Sequence, residues 1–193
     1  GRGRETVIID AINTGADFYI QKGCDTKSLF AELNHKVDYA IGKRNARVSL
    51  KRRDAILQAV SLGATLFLGG DSFHAAAGES AALFGLATEV DRVMIFRLEE
   101  GGGEIPAFTR LCQWIRPGIS EDNRSFLPDL SGFSSLVEKI LQGESIIGTV
   151  DSFDPVIQDL MLDHHIRSVA VFPVIARQKV RGMIWFCDCL SER

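Results

Sequence analysis

Ser168-Val169-Ala170-Val171-Phe172-Pro173-Val174-Ile175-Ala176 and Val180-Arg181-Gly182-Met183-Ile184-Trp185-Phe186-Cys187-Asp188 read as a strand pair joined by Arg177-Gln178-Lys179. Both runs are dense in β-branched and aromatic residues, and only a short polar break divides them. Working upstream, Pro155 in Asp154-Pro155-Val156 suits the first turn of a helix that runs to His164. Ile146–Val150 is a short strand and Phe133–Leu141 an amphipathic helix. Arg92–Glu99 and Ala107–Arg116 are two further strands, separated by Glu100-Gly101-Gly102-Gly103 and closed by Pro117-Gly118. The expected fold is α+β: a five- to six-stranded antiparallel or mixed sheet with helices on both faces.

The N-terminal third has a different texture. Glu5–Ile12 is helix-like and ends at Asn13-Thr14-Gly15, where Gly15 suits the left-handed residue after a helix. Asp17-Phe18-Tyr19-Ile20-Gln21 reads as a short strand. Asp25 or Thr26 caps a following helix that carries Leu29, Phe30, Leu33, Val37 and Ile41 at helical spacing. A second stripe continues through Ile56, Val60 and Phe67, so one long helix or two stacked ones connects the parts, and Ser72 opens another helix to about Val90.

Composition narrows the function classes. With 46% hydrophobic and 24% charged residues in 193, the chain is that of a soluble globular protein. No apolar run reaches the ~18 residues of a membrane span, and the four cysteines read as reduced thiols of a cytoplasmic protein. The net charge of −3 is an average of two halves. Residues 1–53 hold eleven Lys/Arg against six Asp/Glu, a net of +5, and the rest of the chain is at −8. The basic run 43–53 has no interleaved aromatic for base stacking, so it reads as a solvated helical connector rather than a nucleic-acid patch.

Gly15-Ala16-Asp17-Phe18-Tyr19-Ile20-Gln21-Lys22-Gly23 resembles the last strand of a response-regulator receiver domain with its flanking helices. The resemblance implies that Lys22 stands where that family contacts a phosphoryl group and Tyr19 where it has its switch aromatic. Gly23 replaces the usual proline, and the acidic pair and phospho-acceptor aspartate have no counterpart after residue 1. The remnant is therefore expected to be inactive.

From about Arg53 onward the chain resembles a GAF domain, the small-molecule-sensing module of two-component sensor kinases. The residues that carry this are Arg92–Leu98, Gly143-Glu144-Ser145-Ile146-Ile147-Gly148, Arg167–Val174 and Gly182–Asp188. The family's usual final helix has no counterpart here. The expected division is a receiver remnant over 1–42, a basic helical connector over 43–53 and a GAF domain over 54–193.

Candidate chemistry is sparse. Cys187 and Cys189 share one side of a strand, but His164 and His165, adjacent on a helix, cannot both join them, so buried thiols are the simpler reading and no metal site is expected. No serine or cysteine has an activating context, and Gly101-Gly102-Gly103 lacks the Lys-Ser/Thr of a phosphate cradle. Cys112 and Cys24 do not match the attachment cysteine of the bilin-bearing branch. No catalytic residue is assigned, and no cofactor is named.

The resemblance implies a sensory or regulatory module of a two-component protein, a fragment of a sensor histidine kinase working beside that protein's other domains. Its ligand is expected between the sheet and the helices at Phe133–Leu141 and Asp154–His164. Arg110, Asp163 and His164 are the expected polar contacts, with Trp114 and Phe133 as walls. The alternatives are a ligand-free dimerisation and coupling domain and, behind it, a GAF-scaffold redox enzyme, for which Cys187 and Cys189 are a poor pair. Phe30, Leu33, Val37, Ile41, Arg44, Val48, Lys51 and Ala55 form a stripe apolar at six of eight places, which predicts a homodimer through the connector helix. Neither a membrane nor nucleic acid is expected as a partner.

Overall fold

The computed structural model describes residues 2–16, 18–20, 25–69, 72–99, 107–119 and 134–190. The chain divides into two compact units, residues 1–51 and 52–193. Helix α2 (Thr26–Gly69) is continuous and contains the division.

In the first unit, α1 (Arg2–Asn13) stops where the Thr14 hydroxyl donates to the Asp10 carbonyl at 2.8 Å and Gly15 takes a φ of +98°. Helix α2 starts because the Asp25 carboxylate accepts from the Lys27 and Ser28 amides at 2.9 and 3.2 Å. Those bonds, with the Ser28 hydroxyl as the largest contributor, hold the Asp25 carboxyl below the usual range. The strand expected at Asp17–Gln21 is not one over its described residues, Phe18–Ile20. Among the described residues no neighbouring strand supplies the ladder bonds that extended backbone needs. Phe18 instead sets its ring edge-on to Tyr39, and Lys36 Nζ donates to the Tyr19 carbonyl. Tyr19 is exposed, and Lys22 lies outside the described residues.

The second unit is built on five antiparallel strands: β1 (Arg92–Leu98), β2 (Phe108–Ile115), β3 (Ile146–Thr149), β4 (Ser168–Ala176) and β5 (Lys179–Asp188). Their order is β2-β1-β5-β4-β3, so the strand pair that opens the sequence reading lies at the sheet's centre. Its connection is tighter than expected. Arg177 and Gln178 alone form the turn, both at positive φ, the twist a two-residue hairpin requires.

Helix α3 (Phe73–Thr88) covers one face. Ser72 caps it through the Ala75 amide, and Glu89 ends it in the left-handed conformation. Its small residues Ala77 and Ala81 pack with Val90, Val93, Ile95 and Leu111. The other face is covered by α4 (Ser134–Leu141) and α5 (Pro155–Asp163), the latter capped by Asp154 through the Val156 and Ile157 amides. Here Leu136, Ile140, Ile157 and Met161 enclose Met94, Phe96, Met183, Trp185 and Cys187. Among the described residues no helix is long and apolar enough to cross a membrane.

The closeness of α3 to the sheet has a testable consequence. A Cβ on Gly85 would lie 2.1 Å from the Trp114 ring, whereas one on Gly78 of the same helix meets nothing within 4 Å. Gly78→Ala should stabilise by up to about 1 kcal/mol through helix propensity. Gly85→Ala should instead destabilise by roughly 1–3 kcal/mol through overpacking. Urea unfolding of the two variants decides the matter, and equal stability for both would contradict the packing.

Candidate functional site

An irregularity in β2 organises the candidate site. The β1–β2 ladder pairs Met94 with Gln113 and Ile95 with Cys112, then slips by one residue so that Phe96 faces Arg110. Leu111 is the extra residue of a bulge. Positions three apart in a regular strand point to opposite faces, but one inserted residue restores them to the same face. Arg110 and Gln113 therefore both share the α4/α5 side with Phe96 and Met94. Arg110 Nη1 donates to Gln113 Oε1, and both residues are half-buried.

The same slip moves Trp114. Counted in steps of two from Arg110, Trp114 should stand on Arg110's face, as a wall of the expected ligand site. The bulge reverses it, since a one-residue shift turns every later side chain over. Its ring packs instead against α3, with Cys112, Ile184 and Phe186.

The remaining expected residues are spread along the α5 end of this face. His164 terminates α5, donating its amide to the Met161 carbonyl at 3.2 Å. Burial, and then the nearby Arg92 guanidinium, lower its imidazole below the usual value. Arg92 is fully buried at the start of β1, paired in register with Cys187. Asp163 is exposed, and Phe133 lies outside the described residues. Gln113 was not anticipated from the sequence. Its significance depends on the bulge, which leaves no mark in the alternation of residue types.

Over β3, β4 and β5 this face is filled by the protein's own side chains. Trp185 is 1% exposed and Met161 and Met183 are completely buried. Among the described residues, Arg92, Arg110 and Gln113 bring polar character to its β1–β2 margin. On the α3 side a groove of about 410 Å³ runs between Ile56, Val60, Phe84, Phe172 and Phe186, and it is lined by carbon.

Among the described residues, Cys112, Cys187 and Cys189 are not set up for thiolate chemistry, and Cys24 lies outside them. Burial pushes Cys112 up to about 11, and it raises Cys187 and Cys189 as well. Among the described residues no three His, Cys, Asp or Glu side chains gather as a metal would need.

Five antiparallel strands in the order 2-1-5-4-3, with one helix behind and two in front, superpose on solved sensory domains. The phycoerythrobilin-bound GAF domain of a cyanobacterial phytochrome matches with a TM-score of 0.57 at 12% identity, over 75% of this chain and 85% of that one. That is the GAF fold. The GAF domain of the cyanobacteriochrome TePixJ agrees, with a TM-score of 0.52 at 15% identity over 63% of this chain and 76% of its own. No family model matches the chain. In sequence, the chain is 26% identical over 154 residues to the methanogenesis regulatory histidine kinase FilI of Methanothrix harundinacea (strain 6Ac). That stretch is 78% of this chain and 17% of the kinase, so the chain spans about a sixth of its relative's length.

Protonation of His164 in this GAF unit yields a pH test. Its depressed native value means that the unfolded chain takes up this proton first, near the ordinary value of about 6.5. The stabilisation is complete above that value and is lost as pH falls through the lower native one. Wild-type protein should therefore lose more unfolding free energy between about pH 7 and about pH 5 than His164→Gln. Urea titrations at the two pH values check this, and an equal loss in both proteins would contradict it.

Proposed function

We propose that the GAF unit is the small-molecule-sensing module of a two-component signalling protein, with its ligand on the α4/α5 side of the sheet at the β1–β2 margin. The observation that carries this is the half-buried Arg110–Gln113 pair beside a face that is apolar and filled at its centre. A few convergent polar groups beside apolar walls is how small-molecule sites are built. The fold supports the same reading, since its solved counterparts include a domain with a bound bilin. The kinase relative supports a place in a histidine kinase of the cytoplasm, and the receiver-like residues Tyr19 and Lys22 are consistent with a phosphorelay neighbour. In this reading Arg110 and His164 contact the ligand, Asp163 lies at the rim, and Trp114 supports the sheet from behind. The unit itself performs no catalysis.

A thermal-unfolding screen with biliverdin, haem and cyclic nucleotides tests the reading. A ligand at about 100 times its dissociation constant adds about 2.7 kcal/mol, a midpoint shift of several degrees for a unit of this size. Arg110→Ala should abolish the shift. A screen in which no compound moves the midpoint, or in which the alanine variant responds fully, contradicts the assignment.

A second reading, coupling by dimerisation, has its own observation. Within the first unit Phe30, Leu33, Val37, Ile41 and Val48 on α2 are 58%, 40%, 45%, 51% and 57% exposed at three- and four-residue steps or their multiples. A parallel helix pair between two chains would cover them. Light scattering at micromolar concentration should give a dimer, and Val37→Glu with Ile41→Glu should give a monomer. A wild-type monomer would end this reading without touching the ligand site.

A further inference from the structure

The strongest unexplained feature on the sensing face is the side-chain amide of Gln113. Its nitrogen is buried and has no hydrogen-bond partner among the described residues. The orientation of the amide is fixed by chemistry. A guanidinium can only donate, so the atom facing Arg110 Nη1 must be Gln113 oxygen, and the NH₂ group is forced the other way. A buried donor left without an acceptor costs about 1–3 kcal/mol, and native proteins keep few of them. Rotating the amide would trade this for a donor facing a cation. An acceptor arriving at this position meets both demands.

The setting states what kind of acceptor. The nearest polar neighbour on the strand is the cationic Arg110, and two residues beyond Gln113's partner Met94 lies the buried guanidinium of Arg92, on the same face. The donors of Arg110 and Gln113 thus meet at the bulge, with the Arg92 cation further along the same face toward His164, and Asp163, the acid expected nearby, is exposed. Resting on the sensory reading above, we propose that Gln113 is the specificity residue of an oxyanion subsite. Its amide donates to a carboxylate or phosphate group of the bound molecule, while its oxygen holds Arg110 in place beside that group.

The test uses the whole chain with sodium succinate and inorganic phosphate as probes, and sodium chloride at matched ionic strength as control. The readouts are the thermal midpoint and the ¹⁵N–¹H resonances of the Gln113 side-chain amide. One of the two anions should raise the midpoint and move those resonances in a saturable way, and which one does so separates a carboxylate ligand from a phosphate ligand. Gln113→Met removes the orphan donor and the oxygen that accepts from Arg110 at similar volume, so it should keep the wild-type fold by circular dichroism yet bind the anion roughly 10- to 100-fold more weakly. Gln113→Glu should bind it more weakly still, because it places a carboxylate against the anion. Equal responses from wild type and the methionine variant, or a silent Gln113 amide with both anions, overturn the proposal. If neither anion acts but a neutral compound binds with dependence on Arg110, the oxyanion assignment falls and sensing stands. If nothing binds, both fall.

Discussion

Gly182→Ala lowers the unfolding free energy by about 3 kcal/mol or more and loosens β1 from β5. Gly182 faces Arg97 in the central ladder, and a Cβ there would lie 2.1 Å from the Phe96 carbonyl oxygen and 3.3 Å from the Arg97 Cα. Both contacts are backbone, so no rotamer change relieves them, and the strands must part or shear. Glycine is required at this position for space, because another backbone passes so close. For a domain whose whole stability is of order 5–15 kcal/mol, the loss is readily seen in urea unfolding followed by circular dichroism. A loss below about 1 kcal/mol would mean that the central pairing differs from the one described.

Trp185→Ala costs about 3–5 kcal/mol, the range for removing a large aromatic from a packed core. Trp185 is 1% exposed, sits 6.0 Å centroid to centroid from Phe96, and donates its indole N–H to the Met183 sulfur at 3.1 Å. Its size decides where a ligand can go. With Trp185, Met161 and Met183 in place, the centre of the α4/α5 side is occupied, which is why the proposed ligand is placed at the β1–β2 margin. Chemical denaturation of the alanine variant measures the loss. A value under about 1.5 kcal/mol would indicate that the indole borders open space, which would move the expected site inward.

The element boundaries were legible where the signal is local chemistry. Ser72 and Asp25 announce their helices because each places a side-chain oxygen over free amides, and Pro155 announces α5 because its fixed φ suits a first turn. The strands around Val169–Val171 and Met183–Cys187 announce themselves by hydrophobic density, as buried central strands do. Two features were hidden for physical reasons. The turn at Arg177-Gln178 adopts positive φ without glycine or asparagine, so its tightness comes from the flanking strands rather than from its own residues. The β2 bulge changes which face each later residue occupies without changing the residues themselves. Arg110 could be picked as a polar group on the α4/α5 side. Trp114 was assigned to the wrong side of the sheet for the same reason that Gln113 was overlooked. The strand expected at Asp17–Gln21 shows the converse: its residues favour extension, but among the described residues Phe18–Ile20 have no strand to pair with.

The most direct test of the sensing account is an amide NMR map of the protein with and without the strongest binder from the thermal screen. The account predicts that the shifted resonances cluster on the α4/α5 side, at Met94, Arg110, Gln113 and His164. Ala77, Trp114 and Phe172 on the α3 side should stay still. Shifts centred on Phe172, Phe186 and Val60 instead, or no binder at all, would contradict it.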